Sequence, residues 1–235
     1  MIQSAANLGF MSNSNGIDNE IEILSAHDLA QLAVHDMKIY VNYYHKSAFK
    51  DPLVYKEQEV SVDLDLPHLK KLNAPIKLSI EKEGTKYHVK GTYNLPIDAF
   101  SFEKEASEFE KTFDRLPATI STRVGTLTFT PSKIYKLEDG EVLKAVIVSP
   151  EMAAKQYTKN LTVSQTSKTT TIAELVLNDE NPQRALDYLN TLLKVYNRQA
   201  NDKREYEPFP VENQICINQL KVNGRFLFLF LNCAF

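Results

Sequence analysis

At 235 residues and 26.8 kDa the chain has the length of one large domain or two small ones, and its 43% apolar and 24% charged residues suit a buried core. A formal charge of −3 with dispersed lysines and arginines offers no electrostatic case for nucleic acid, and Cys216 and Cys233, without CxxC spacing, speak against a metal or redox centre. No run approaches the roughly 18 to 20 apolar residues that span a bilayer, the longest being Phe226 to Leu231.

Residues 1–19 are polar and rich in Asn, Ser and Gly, and read as a mobile lead-in. They lack the basic region and apolar core of a signal peptide. An ordered segment is expected from Glu20, with Ser25 and Asp28 forming a capping box in which Asp replaces the usual Glu. Leu29, Leu32, Ala33, Met37 and Tyr40 continue at helical spacing. His27 and His35 fall eight apart on that helix and His45 follows it. None has an i, i+4 partner, so all three read as surface or interface histidines rather than ligands. Lys38 to Tyr44 alternates and is aromatic, which predicts entry into a strand.

From 51 to 147 the period changes to two. Val60, Val62, Leu64 and Leu66 alternate with polar residues, as do Ile76, Leu78 and Ile80, and Glu83-Gly84 turns the chain toward Tyr87 and Val89, making 75–93 a hairpin. Pro67, Pro75, Pro96 and Pro117 punctuate the segment at spacings suited to short strands. Residues 98–115 tolerate helix, yet Phe100 and Phe102 alternate, which favours extended structure. Val124, Leu127 and Phe129 precede Pro131, and Val142 to Val148 reads as a buried strand.

Ser149-Pro150-Glu151 starts a short helix carrying Met152, Ala153, Gln156 and Tyr157, and Leu161 to Gln165 follows as a strand. Asn160-Leu161-Thr162 fits the glycosylation tripeptide, a match of low specificity. Thr169, Thr170, Thr171 and Ile172 are β-branched and predict extended backbone, continued by Leu175 and Leu177. Asn181-Pro182 is a helix start. Ala185, Leu186, Leu189, Leu192, Leu193, Tyr196 and Ala200 then define the buried face, while Arg184, Asp187, Lys194, Arg198 and Asn201 fall mostly on the other. Pro208 and Pro210 stop that helix. The tail beyond them, with Phe226, Phe228 and Phe230 in alternation, is an aggregation liability unless packed or paired.

Two stretches carry a family resemblance. Val163, Ser164, Ile172, Asn181, Pro182, Ala185, Leu189, Asn190, Leu192 and Tyr196 resemble the strand, N-P-x-x-A turn and L-N-x-L-x-x-x-Y helix of the chain-length determinant domain of polysaccharide co-polymerases. The closest flavour is the tyrosine-autokinase branch of capsular and exopolysaccharide biosynthesis. The segment Asn19 to Met37 is similar to the N-E-I-x-I-L run that leads into that domain's first helix. The resemblance covers about 19–44 and 148–200; the tail after Pro208 departs from the family, whose helix runs on as an arm of a helical hairpin.

The resemblance implies an extracytoplasmic, periplasmic domain flanked by inner-membrane helices, self-associating in a ring beside polysaccharide polymerase or export components. The autokinase branch adds a cytoplasmic tyrosine kinase domain. This sequence contains neither span and no GxxxxGK[ST] loop, so the chain is expected to be a soluble piece of a membrane-anchored parent, meeting the bilayer only through spans it lacks. The expected fold class is α+β. A helix-on-sheet domain is expected from 20–50 and 148–204, with 51–147 as an inserted sandwich- or barrel-like β unit, 1–19 as lead-in and 205–235 as an atypical tail.

No GxSxG elbow, HExxH pair, phosphate loop or supported carboxylate pair occurs, so no catalytic, cofactor-binding or metal-ligating residue is assigned, no cofactor is expected, and a non-catalytic scaffold is the expected role. The alternative is a β-rich carbohydrate- or protein-binding module of the bacterial envelope. Exposed aromatic side chains on the strands of 75–130 would favour that alternative, and internal ones would disfavour it.

Overall fold

The computed structural model describes residues 14–96, 104–166, 172–204, 214–222 and 225–233. In chain order the elements are α1 (Ser14–Leu24), α2 (His27–Met37), β1 (Val41–His45), β2 (Leu53–Val54), β3 (Val60–Leu64), α3 (Leu66–Lys71), β4 (Ile76–Glu83), β5 (Lys86–Pro96), β6 (Lys104–Phe113), β7 (Ala118–Thr122), β8 (Gly125–Pro131) and β9 (Val142–Ile147). There follow α4 (Pro150–Asn160), β10 (Leu161–Gln165), β11 (Ala173–Leu177), α5 (Pro182–Arg204), β12 (Gln214–Val222) and β13 (Arg225–Cys233). Helices and antiparallel strands occur in separate runs rather than in alternation, so the class is α+β. The chain forms two compact units, 38–153 and 1–37 with 154–235.

In the unit of residues 38–153, six strands pair in the order β2-β1-β9-β4-β5-β6, and three more in the order β3-β8-β7. The period-two pattern explains which side chains turn inward. Ile76, Leu78 and Ile80 of β4, Leu143, Ala145 and Ile147 of β9, and Val89 and Tyr93 of β5 are buried; so are Val60, Val62, Leu64, Leu127 and Phe129 of the smaller sheet. The sheets share this interior: the Val62 N–H donates to the Tyr43 hydroxyl at 2.7 Å, and the Phe113 and Phe129 rings stand 5.9 Å apart. Gly91 is required by close approach. A Cβ there would lie 2.2 Å from the Phe109 ring, which covers the gap in β5.

The hairpin expected over 75–93 is β4-β5, turned at Gly84 with φ +60. The extended reading of 98–115 holds for β6, while Phe100 and Phe102 lie outside the described residues. Lys38 to Tyr44 enters β1 as expected, but β1 pairs with β9 along five residues. Residues 38–50 therefore sit with the β-rich segment, not with the terminal elements, because a strand's backbone groups must be satisfied by a neighbour and β9 supplies it.

In the other unit, α1 begins at Ser14, so residues 14–19 are helical rather than a lead-in. Ile17 and Leu24 are buried, and these i, i+7 positions outweigh the low helix propensity of Ser14, Asn15, Gly16 and Asn19 around them. Residues 1–13 lie outside the described residues. Ser25 does not cap α2: its hydroxyl donates back to the Ile21 carbonyl at 2.7 Å, closing α1, and Ala30 N–H bonds the Ala26 carbonyl at the start of α2. The buried face of α2 is Leu29, Ala30, Ala33 and Val34, whereas Leu32 is exposed; Tyr40 lies beyond the helix, which ends before Lys38 at φ 55. β10 pairs with β11, and β12 with β13, whose strands run Phe226 opposite Lys221, Phe228 opposite Gln219 and Phe230 opposite Ile217. The alternating phenylalanines of the tail are thus paired in a strand. Thr169, Thr170, Thr171, Pro208 and Pro210 lie outside the described residues.

Candidate functional site

The β11–α5 junction holds the residues on which the sequence pattern is most specific. The Asn181 side chain accepts from Arg184 N–H at 3.0 Å and its carbonyl from Ala185 N–H at 3.0 Å, which is the helix start the Asn-Pro pair predicts. Ahead of it, Asp179 accepts from the Asn181 N–H at 2.8 Å. Arg184 grips the same carboxylate through Nε at 2.9 and 3.1 Å and Nη2 at 2.8 Å. The side chains are 2% and 12% exposed, so Arg184 does not lie on the solvent face that its helical position suggested. A buried carboxylate at a helix N-terminus needs a cation, and Arg184 is one turn away. This is a structural lock with no open face for a substrate.

Leu189, Leu192 and Leu193 are fully buried, with Ala185, Tyr196, Tyr188 and Val195, while Leu186 is only half-buried. The helix packs chiefly along α2 and touches β11 only locally, because its wide apolar face is matched by that of α2. Tyr196 hydrogen-bonds Glu20 of α1, and Arg198 pairs with Asp36 of α2 at 3.1 Å. The Tyr157 ring stacks on Tyr188 with centroids 4.3 Å apart. Burial pushes the Tyr188 phenol up, with the neighbouring Tyr157 adding to it, and among the described residues the Tyr188 hydroxyl has no hydrogen-bond partner.

The histidines are not gathered. His27 and His35 lie beside their own neighbours Asp28 and Asp36, at 3.8 and 4.0 Å. His45 contacts the buried Glu59 through Nε2 at 2.9 Å. Sequence reasoning passed over His68 and His88. His68 Nδ1 sits 2.6 Å from Asp65, whose carboxylate also accepts from Thr126 N–H at 2.6 Å. The His68 hydrogen bond first, and the Thr126 bond second, hold the Asp65 carboxyl below the usual carboxylate range. Its side chain also caps α3 by accepting from the His68 N–H. The signal was available, since Asp65 stands before Leu66-Pro67 as an Asn or Asp stands before a helix start.

His88 stands between Glu83, 2.9 Å from Nε2, and Thr112 Oγ1, 2.9 Å from Nδ1. A proton on Nε2 leaves the Nδ1 lone pair facing the hydroxyl, the order of a carboxylate–imidazole–hydroxyl relay. His88 and Thr112 are opposed across β5 and β6, and Glu83 is 79% exposed, so the relay is solvated and lies in no cleft. No feature of the sequence could have announced it, because strand register brings residues 24 apart into contact. Among the described residues no group of three His, Cys, Asp or Glu side chains could hold a metal ion.

Two cross-strand rows on the outer face of β9-β4-β5-β6 form a trough of about 600 Å³ lined by Lys77, Ser79, Lys90, Thr92, Glu108 and Lys144. Its lysines stand on β9, β4 and β5 and its glutamates on β6, and Lys90 pairs with Glu110 at 3.2 Å. Among the described aromatic residues of 75–130, Tyr93 and Phe129 are buried, half-buried Phe109 is one of the trough's lining residues and packs by Tyr93 with centroids 6.2 Å apart, and half-buried Phe113 packs on Phe129. Among the described residues no helix is long and apolar enough to cross a membrane. No protein-family model and no curated protein matches this chain.

Proposed function

We propose that the chain is a non-catalytic scaffold, the extracytoplasmic domain of a polysaccharide co-polymerase of the chain-length determinant kind, at the periplasmic face of a bacterial inner membrane. In this reading 1–37 with 154–204 is a helix-on-sheet domain and 38–153 an inserted β-sandwich-like unit. One observation carries the reading: the larger parts of the two resembling stretches, 19–37 and 154–200, more than a hundred residues apart, meet in one compact unit where α2 packs on α5, while 38–44 and 148–153 belong to the other unit. A chance likeness of two separate segments predicts no such meeting. The Asn181 cap and the buried Leu189, Leu192 and Tyr196 give the quoted signature a structural reason. None of the described aromatic residues of 75–130 is exposed, which weighs against the alternative of a carbohydrate- or protein-binding module.

Such a scaffold acts by side-to-side, heterologous self-association into a ring, next to polymerase or export components and a cytoplasmic tyrosine kinase domain of the parent. Confinement to a bilayer raises the effective concentration of weak contacts, so the isolated chain is expected as a monomer or weak dimer without turnover of nucleotides or sugars. The test is a charge-reversal scan of the exposed positions of α2 and α5 in the parent, with polymer length read by gel. Lys194→Glu, at an exposed position, is expected to shift the modal length while the fold persists. Unchanged profiles across both helices refute the scaffold role, and a hydrolytic activity abolished by one polar substitution refutes the absence of catalysis.

A further inference from the structure

We propose that one end of the 38–153 unit docks on an anionic lipid surface through two loops, 46–51 and 132–141. The inference is independent of the scaffold reading. The two most exposed large apolar side chains among the described residues are Phe49, at 102%, and Ile134, at 80%, and Tyr135 beside Ile134 is also exposed. A lone exposed apolar residue is ordinary, but these share one end of the unit. Lys46 N–H bonds the Val142 carbonyl at 3.1 Å, and Ser132 N–H bonds the Glu59 carbonyl at 2.7 Å. The Glu59 carboxylate meets His45, the residue before Lys46, so both loops spring from adjacent backbone.

The tips are held rather than loose. Asp51 accepts from Ser47 N–H at 2.9 Å and pairs with Lys144 at 2.5 Å, which fixes the Phe49 loop at both ends. The Ser132 hydroxyl accepts from the N–H groups of Ile134 and Tyr135 at 3.2 and 3.1 Å, turning the second tip outward. Asp139 and Glu141, the carboxylates behind that tip, accept from Gly84 and Glu138 N–H groups at 2.5 and 3.0 Å. The residues nearest the apolar tips are lysines, Lys50 beside Phe49 and Lys133 and Lys136 about Ile134-Tyr135, with Lys46 at the start of the first loop; Asp51 is paired with Lys144, and the exposed Glu138, Asp139 and Glu141 follow on the far side of Leu137 from the second tip. Apolar wedges between lysines match the layering of an anionic bilayer, where acyl chains receive the wedge and phosphates meet the ammonium groups. A protein partner accounts for the apolar tips, but the doubled lysine bracket selects a surface of dispersed negative charge.

The test is co-sedimentation of the purified chain with vesicles of phosphatidylcholine alone and of phosphatidylcholine mixed with phosphatidylglycerol, at low and physiological salt. Binding is expected only with the anionic lipid, weakening as salt rises. Phe49→Ser with Ile134→Ser should weaken it about tenfold or more, with an unchanged circular dichroism spectrum and thermal midpoint because both side chains are already in water. Alanine at Lys46, Lys50, Lys133 and Lys136 should cost about five-fold per lysine, the factor equivalent to ~1 kcal/mol per cation at an anionic surface. Absence of wild-type binding to anionic vesicles overturns the proposal. So does equal binding by the Phe49 and Ile134 variant, which would place the contact elsewhere in the chain. Self-association that the same variant abolishes, without vesicle binding, would assign the loops to a second copy and overturn it as well.

Discussion

Replacing Arg184 with methionine should unlock the start of α5. Methionine keeps most of the apolar stem and removes the guanidinium, leaving Asp179 with the Asn181 N–H at 2.8 Å and the Tyr157 hydroxyl at 3.5 Å. With the carboxylate 2% exposed, water cannot replace the lost cation. Removing one partner of a buried pair costs about 3 to 5 kcal/mol, which in a unit of this size lowers the thermal midpoint by on the order of 10 °C. The double variant Asp179→Asn with Arg184→Met removes both charges and keeps an acceptor for Asn181. It should recover to within about 1.5 kcal/mol of the native chain, giving a coupling of roughly 2 kcal/mol or more. Urea unfolding followed by circular dichroism supplies the free energies, and amide exchange along α5 assigns the loss to this helix. If Arg184→Met shifts stability by no more than the ~0.5 kcal/mol of an ordinary surface substitution, the pair is solvated and the lock does not exist.

Leu189→Ala, at a fully buried site on α5, should cost roughly 2 to 5 kcal/mol, and an unchanged denaturation midpoint would mean the helix is not docked on α2. Tyr188→Phe removes a buried hydroxyl that has no hydrogen-bond partner among the described residues, so it should leave stability unchanged or raise it by about 1 kcal/mol; a clear loss in urea unfolding contradicts that reading. Burial, then the charge of Asp63 and its hydrogen bond, push the Tyr40 phenol up to about 12, and burial pushes Tyr43 and Tyr188 up as well. Raised folded values mean that the neutral phenols favour the native state: the contribution is complete below about pH 10 and is lost as pH rises toward the folded values. Ultraviolet titration of tyrosinate should lag a denatured control above about pH 10, and coincident curves would dismiss the burial of these phenols.

Arg184 shows where one-dimensional reading stops. Helical spacing assigned it to the solvent face, yet its side chain turns back to Asp179, a partner five residues upstream across the turn. Asp65 shows the opposite case. Its capping role was written in the chain as an acidic residue before Leu66-Pro67, and it was missed beside the stronger β pattern around it. The pairing of β12 with β13 was likewise legible: Asn223-Gly224 between two apolar-rich runs is a short-range hairpin signal in the sequence, and Val222 pairs with Arg225. Ile17 and Leu24 marked α1 by their spacing, but the Asn and Ser around them drew the reading toward a coil.

Local order was determined by the sequence itself. Side chains at period two or 3.6 choose strand or helix because one face must leave water, and Asn181, Pro182 and Ser149-Pro150 mark helix starts through their own hydrogen-bonding groups and fixed φ. Tertiary structure alone decided the rest. It drew β1 to β9 rather than to the terminal elements and set α5 on α2 rather than flat on β11. It opposed Gly91 to Phe109 and placed His88 between Glu83 and Thr112. These are choices among partners far apart in sequence. Each depends on which apolar faces match in three dimensions and on which backbone edges remain to be paired, and periodicity along one segment carries no information about the shape of another.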